Sequence, residues 1–109
     1  MTDLINKKCV PHEKIVKLGE EEIKGYFSQL KGGWALEDKK IKKQFKFEDF
    51  VKAMEFVNKI AVLAEEEGHH PDIAINYSKV EITLWTHFVK GLSENDFILA
   101  AKIDSILVK

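Results

Sequence analysis

The chain has 109 residues, of which 45% are hydrophobic and 32% charged, and its formal net charge is −1. These values are typical of one soluble globular domain, so residues 1–109 are expected to form a single domain. The near-neutral charge gives no electrostatic reason to expect nucleic acid or an anionic membrane as a partner.

Cys9 is the only cysteine of the chain. An intrachain disulfide and zinc sites built on several cysteines are therefore excluded. The first residues contain no apolar core of signal-peptide length, and no segment approaches the roughly 20 apolar residues that span a bilayer. We therefore expect a reducing, cytoplasmic location and no membrane partner.

The first half of the chain predicts an irregular start, a helix and a hairpin. Apolar residues at helical spacing predict a short helix over 20–30, which ends at a Gly-Gly pair. Two strands follow over 34–36 and 41–47, with a loop at 37–40. The lysines within 39–46 alternate with apolar residues and are expected on the solvated face of the second strand.

The second half begins with a long amphipathic helix predicted over 48–67, since its apolar residues recur at three- and four-residue steps. Gly68 is a natural left-handed stop after it. Two alternating strands follow, one through Ile73, Ile75 and Tyr77 and one starting at Val80, with a turn near Ser78-Lys79.

A final helix is predicted from a variant capping box, in which Ser93 is followed three residues later by Asp96, to near Lys109. The resulting order is helix, two strands, long helix, two strands, helix. This order favours an α+β fold, a four-stranded antiparallel sheet with helices packed on one face.

The pairing of the last two strands decides whether distant histidines meet. A two-residue turn at Ser78-Lys79 places Tyr77 opposite Val80. The same register places His70 opposite His87, with Cβ atoms about 4.5–5.5 Å apart. His87 is therefore expected beside the His-His pair that follows the long helix, on the sheet face away from the helices.

A second register is open, because Ser-Lys is not a preferred two-residue hairpin turn. A four-residue loop would shift the partners by two residues and keep the face. Thr83 and Trp85 are expected on the same face as His87, where a large aromatic residue indicates a ligand pocket or a subunit contact.

Each histidine also has an ordinary structural interpretation. His69 or His70 can interact with the dipole at the end of the long helix, and His87 can be an exposed strand residue. His12 is interpreted as a solvated N-terminal residue. One carboxylate of Glu65–Glu67 can turn toward the histidines and hold a ring in one tautomer.

The segment EEEGHHPD at 65–72 resembles the signature of the pterin-4a-carbinolamine dehydratase family. That signature has an acidic residue, three others and His-His-Pro, followed by an aromatic residue, a histidine and an aspartate. Tyr77, His87 and Asp96 match these last three positions. The resemblance extends over essentially the whole chain. One departure lies near the N-terminus, where many relatives carry a second cysteine shortly after the one that matches Cys9, whereas this chain continues Val-Pro-His12. We expect no effect on the chemistry, because this end is distant from the motif.

The resemblance implies a hydro-lyase that dehydrates 4a-hydroxytetrahydrobiopterin to quinonoid dihydrobiopterin in cofactor recycling. One group must protonate the leaving hydroxyl and another must accept the N5 proton. Imidazole suits both roles, since its ordinary pKa is about 6.5. The resemblance implies no cofactor, and a homodimer or homotetramer. The catalytic residues that it implies are His69, His70 and His87, and Asp96 matches its final aspartate. We add supporting or substrate-binding roles for Glu65, Thr83, Trp85 and Thr86, since a planar pterin needs hydrogen bonds along its edge.

Within that set, we expect His69 and His87 to flank C4a and N5 of the pterin, and His70 to position the ring or act as partner base. Two alternatives stay open. The three histidines can ligate zinc. The chain can instead be a non-catalytic dimerisation cofactor, since the resemblance implies that some members of the family also act as dimerisation cofactors for a transcription factor.

Overall fold

The structure, a computed structural model, describes residues 4–107. Three α-helices and a four-stranded antiparallel sheet follow one another in the predicted order, which confirms the α+β fold class. The helices are α1 (Glu20–Phe27), α2 (Phe50–Glu67) and α3 (Glu94–Ile106), and the strands are β1 (Ala35–Glu37), β2 (Lys40–Lys46), β3 (Asp72–Asn76) and β4 (Lys79–Leu84). Within residues 4–107, no helix is long and apolar enough to cross a membrane.

The sheet has the strand order β1-β2-β4-β3, so that β4 is hydrogen-bonded on both sides. One face of β4 carries Val80, Ile82 and Leu84, all fully buried against the helices. Strand β3 lies at the edge, and its residues are exposed. The core is therefore concentrated between the central strands and the helices α2 and α3.

Helix α2 begins two residues later than predicted because Asp49 caps it. The Asp49 carboxylate accepts a hydrogen bond from the Lys52 backbone N–H at 2.9 Å. Gly68 ends the helix in the left-handed conformation, with φ of 70°. The chain can therefore turn sharply into the His-His-Pro segment at a position that favours glycine.

The predicted register of the last hairpin is wrong by two residues. Ile75, and not Tyr77, pairs with Val80. The turn consists of Tyr77 and Ser78, and Tyr77 has a φ of 56° and is largely exposed. The shift keeps the face matching of the strands, but His70 and His87 lie beyond the paired residues and do not face each other across a ladder.

The sequence predicted that the lysines of β2 lie on the solvated face, but one of them does not. Lys43 has the same strand parity as Ile41 and Phe45, and it points toward the core. Its Nζ lies 2.7 Å from the Asp104 carboxylate, and the Trp34 indole N–H donates to the same carboxylate at 2.8 Å. An inward lysine is tolerated here because a buried charge partner compensates for its desolvation.

Several element boundaries also differ from the predictions. Helix α1 ends at Phe27 instead of Leu30, and β1 begins at Ala35. The start of the chain contains two short 3-10 turns, Leu4–Asn6 and His12–Lys14. Helix α3 ends at Ile106, and its predicted extension to Lys109 lies partly outside the described residues.

The N-terminal segment is tied to the helices by Glu67. Its carboxylate accepts a hydrogen bond from the Cys9 backbone N–H at 2.8 Å and pairs with Lys102 Nζ at 2.6 Å. Burial alone would raise the pKa of Glu67, but these two contacts outweigh it and leave the pKa below its ordinary value. The Cys9 thiol is buried as well, and this burial raises its pKa to about 12.

The tie at Glu67 predicts a pH-dependent contribution to stability. Because the folded-state pKa is below the ordinary value of 4.5, the stabilisation is present above that pH and is lost as the pH falls through the folded pKa. Glu67→Gln is expected to lower the unfolding free energy by about 1.5–3 kcal/mol at pH 7, the usual contribution of a charged hydrogen bond.

Urea unfolding from pH 7 to pH 3 measures this effect, with Glu66→Gln as the exposed control. The difference in unfolding free energy between wild type and Glu67→Gln should become smaller at the acid end of this range. A gap that stays constant over the whole range would contradict the assignment.

Candidate active site

A cleft of about 290 Å³ lies where α2 ends, β4 ends and the N-terminal segment crosses them. It brings together all three histidines predicted from the sequence to be catalytic, although they come from two separate stretches of chain. The residues that line it are His12, Ile15, Gly68, His69, His70, Trp85, Thr86, His87 and Phe88.

His69 is held in place by Asp96. The ring nitrogen Nε2 lies 2.6 Å from the Asp96 carboxylate, and only 8% of His69 is exposed. The structure gives Nδ1 no hydrogen-bond partner among residues 4–107, and no buried side-chain nitrogen or oxygen among them lacks one. Nδ1 is therefore the ring nitrogen of His69 that is not already engaged by a carboxylate.

Asp96 itself is completely buried in the first turn of α3. Its second oxygen accepts hydrogen bonds from the Thr86 hydroxyl at 2.8 Å and from the Ser93 backbone N–H at 3.0 Å. The bond to Ser93 confirms the predicted capping box in part. With His69, three donors converge on one carboxylate, so that Asp96 joins the end of β4 and the start of α3 to the His-His-Pro segment.

His70 pairs with Glu65 at the opposite, more solvated side of the cleft. Its Nε2 lies 2.6 Å from the Glu65 carboxylate. Both side chains are exposed, 61% for His70 and 77% for Glu65. The pair is therefore held less rigidly than His69 and Asp96, and solvent screens it.

His87 belongs to the 3-10 turn His87–Val89 that follows β4, and not to a strand. Its ring stacks at a tilt on Trp85, with the centroids 4.0 Å apart. The Lys40 ammonium lies over the Trp85 ring, 4.7 Å from the ring centroid. The Trp85 indole N–H donates a long hydrogen bond of 3.4 Å to the Asp72 carboxylate. Aromatic contacts thus orient His87, and both of its ring nitrogens lack a partner among the described residues.

Only some of the predicted supporting residues line the cleft. Trp85 and Thr86 line the cleft, and Glu65 and Asp96 contact the histidines from behind it. Thr83 does not line the cleft: it lies within β4, paired with both neighbouring strands. The Thr86 backbone N–H donates to Gly91 at 2.8 Å, so it is not available to a ligand.

Sequence reasoning missed His12. The prediction that this end of the chain is distant from the motif is wrong, because His12 lines the same cleft as the other three histidines. Its ring centroid lies 4.0 Å from that of Phe88. No local pattern links His12 to the motif, since the contact depends on how residues far away in sequence hold the N-terminal segment.

A larger cavity of about 390 Å³ lies near the end of α1, Leu4 and α3. Its titratable residues are Lys31 and Asp104, and Trp34 and Lys43 already engage the Asp104 carboxylate. Acid–base chemistry is therefore better supported by the smaller cleft. In the part of the chain that the structure describes, no group of three or more His, Cys, Asp or Glu side chains is arranged to hold a metal ion.

The fold and the cleft together define a small α+β protein with four histidines lining one cleft. A sequence model of the family described as pterin 4 alpha carbinolamine dehydratase matches residues 16–106. This match covers most of the chain, and the chain belongs to that family.

Relatives support the assignment over nearly their whole length. A provisionally named pterin-4-alpha-carbinolamine dehydratase of Alkaliphilus metalliredigens is 46% identical over 106 residues, which cover 95% of this chain and 96% of that protein. One of Rickettsia canadensis, also provisionally named, is 45% identical over 107 residues, with 96% and 98% covered.

Two solved structures share the fold. A transcriptional coactivator/pterin dehydratase from Brucella melitensis superposes with a TM-score of 0.78 and 35% identity, covering 84% of this chain and 98% of that one. A pterin dehydratase-like protein identified as a RuBisCO assembly factor in the alpha-carboxysome has a TM-score of 0.60 and 28% identity, with 71% and 92% covered.

The buried carboxylate predicts a stability loss on Asp96→Asn. The amide oxygen is neutral, so Thr86 and Ser93 lose a charged acceptor, and the amide NH2 faces Nε2 of His69 in place of a carboxylate oxygen. Hydrogen bonds to a charged group contribute about 1.5–3 kcal/mol and neutral ones about 0.5–1.5 kcal/mol, so we expect a loss of about 1–3 kcal/mol. Urea unfolding should show this loss, and Asp38→Asn is the control, because Asp38 is exposed at a φ of 57° that asparagine tolerates. Equal unfolding midpoints for the two variants would contradict the role of Asp96.

Proposed function

We propose that this chain dehydrates 4a-hydroxytetrahydropterins in the histidine cleft. The observation that carries the proposal is the convergence of His69, His70 and His87 on one cleft, with Asp96 fixed behind His69. Membership of the pterin-4a-carbinolamine dehydratase family supports the choice of a pterin as substrate. The oxidation state of the substrate does not change overall, so no redox cofactor is required.

The reaction breaks one carbon–oxygen bond and moves one proton. The C4a–OH bond breaks while the hydroxyl gains a proton and leaves as water. N5 loses its proton, and its electron pair forms the N5=C4a double bond of the quinonoid product. The site must therefore supply a base near N5 and an acid near the hydroxyl, and such general acid–base assistance typically accelerates a reaction by about 10²–10⁴-fold for each group.

We assign the base to Nδ1 of His69. The Asp96 carboxylate next to Nε2 favours the tautomer with the proton on Nε2, which leaves the Nδ1 lone pair free. As Nδ1 takes up the N5 proton, the ring becomes cationic, and the carboxylate stabilises that charge. This is the role that a buried aspartate has behind a catalytic histidine in other enzymes.

We assign the acid to His87 and a positioning role to His70. His87 is exposed and both of its ring nitrogens can exchange protons with water, so it can be recharged after each turnover. Glu65 holds His70 by one nitrogen, and His70 can then hydrogen-bond to the pterin with the other. The indole of Trp85, which stacks on His87, offers a flat surface to a planar substrate.

Turnover of chemically prepared 4a-hydroxytetrahydropterin by His69→Ala, His70→Ala and His87→Ala tests the proposal. Loss of the base or the acid is expected to lower kcat/KM by about 10²-fold or more. Glu65→Gln should lower kcat/KM by a smaller factor, because the exposed pair of Glu65 and His70 is screened by solvent.

The matched control is Glu66→Gln, an exposed neighbour of Glu65 whose side chain contacts none of the histidines. It should turn over substrate at the wild-type rate. Wild-type rates in all three histidine variants would rule out the mechanism.

A second candidate is a non-catalytic binding module, since one solved relative is named a transcriptional coactivator/pterin dehydratase and the other a RuBisCO assembly factor. Exposed apolar residues on α2, among them Val51 and Val62, favour a protein contact there. We propose that the same residues also form the contact of a homodimer or homotetramer.

Light scattering should give a mass about two or four times that of one chain. Val62→Glu is expected to lower that mass, because the new charge would be desolvated in the contact. A monomeric wild type would contradict the proposed assembly, and an inactive His69→Ala variant that still assembles would separate binding from catalysis.

A further inference from the structure

The mouth of the cleft is formed by residues that the proposed chemistry does not use. His12, Ile15 and Phe88 line it together with the three histidines. Phe88 is 61% exposed and lies outside the hydrophobic core. Phe88 therefore contributes little to the stability of the fold. Its ring contacts the His12 ring, with 4.0 Å between the centroids and a tilt of 51°, and the two rings form an aromatic surface at the entrance of the cleft.

The position of His12 is fixed on its N-terminal side by two residues. The Cys9 backbone N–H donates to Glu67 at 2.8 Å. The Val10 backbone exchanges two hydrogen bonds with the Asn95 side-chain amide, at 2.9 and 3.0 Å. Asn95 is almost fully buried and directly precedes Asp96 in α3, so the residue that anchors this segment is the neighbour of the one that holds His69.

The segment is fixed on the C-terminal side as well. The Leu18 backbone N–H donates to the Leu92 carbonyl at 2.9 Å. Between these anchors, His12 begins a 3-10 turn that is closed by a hydrogen bond from Lys14 N–H to the Pro11 carbonyl at 2.9 Å. Hydrogen bonds on both sides thus hold the backbone of His12 next to the cleft.

The size of the cleft indicates what reaches this entrance. At about 290 Å³, it is at the lower end of the roughly 300–1,000 Å³ typical of small-molecule pockets. Such a cleft accommodates one bicyclic ring, and any chain attached to that ring must extend to the mouth. His12 offers a hydrogen-bonding imidazole there, whereas Phe88 and Ile15 offer apolar contact.

We propose that His12 is a specificity-determining residue that contacts the substrate at the mouth of the cleft. It hydrogen-bonds to the polar side chain of a pterin that carries a hydroxylated alkyl group, while Phe88 packs against the ring or the alkyl carbons. This assignment rests on the proposed dehydratase function and adds the residue that recognises the side chain of the pterin.

The test compares two substrates, 4a-hydroxytetrahydropterins with either a hydroxylated alkyl chain or a methyl group at C6. His12→Ala should raise KM for the hydroxylated substrate about 3- to 10-fold, which corresponds to one neutral hydrogen bond. KM for the methyl substrate and both kcat values should stay within about twofold of the wild-type values. The reason is that the lost hydrogen bond stabilises the bound substrate and the transition state equally, so that its loss raises KM and leaves kcat unchanged. Phe88→Leu should raise KM for both substrates, since both contain the ring.

Two further variants make the test specific. His12→Gln keeps a hydrogen-bonding group and should restore most of the discrimination, whereas Glu13→Ala, at an exposed position in the same turn, should behave as wild type. Quenching of tryptophan fluorescence by dihydropterins with the same two side chains gives the affinities independently of turnover.

The outcomes separate this inference from the proposed function. An active wild type with His12→Ala unchanged, or weakened equally for both substrates, would overturn the role of His12 alone. A wild type that neither turns over nor binds either pterin would overturn the dehydratase function together with it.

Discussion

The site depends on one buried carboxylate. Asp96 is fully shielded from solvent, and a buried charge of this kind is tolerated only when hydrogen bonds replace its water. His69, Thr86 and Ser93 supply those hydrogen bonds. Because these three partners come from the start of the His-His-Pro segment, the end of β4 and the start of α3, satisfying the charge also brings together the chain segments that form the cleft.

The arrangement of the fold followed from the sequence because each element is specified locally. Apolar spacing defines α2, Asp49 and Gly68 mark its ends, and alternation identifies β4. The register of β3 on β4 was not specified in this way. Tyr77 alternates correctly with the strand residues, but its left-handed backbone places it in the turn, and nothing in its side chain signals that conformation.

The site was predictable only in part for a related reason. His69, His70 and His87 were found because they are close to strand ends and match a family pattern, and an error of two residues in the register keeps the same face of the sheet. His12 and the inward Lys43 were missed. Each depends on a partner far away in sequence, Asn95 for the segment that carries His12 and Asp104 for Lys43, and such pairs leave no periodic signal.

In the proposed mechanism, imidazoles from two separate stretches of chain act on one bound pterin. A crystal structure of the wild-type chain with a dihydropterin bound is the decisive measurement. We expect the pterin in the cleft, with Nδ1 of His69 and a ring nitrogen of His87 within about 2.6–3.2 Å of N5 or of a water at C4a. A pterin bound elsewhere, or one that leaves either ring out of reach of N5 and C4a, would contradict it.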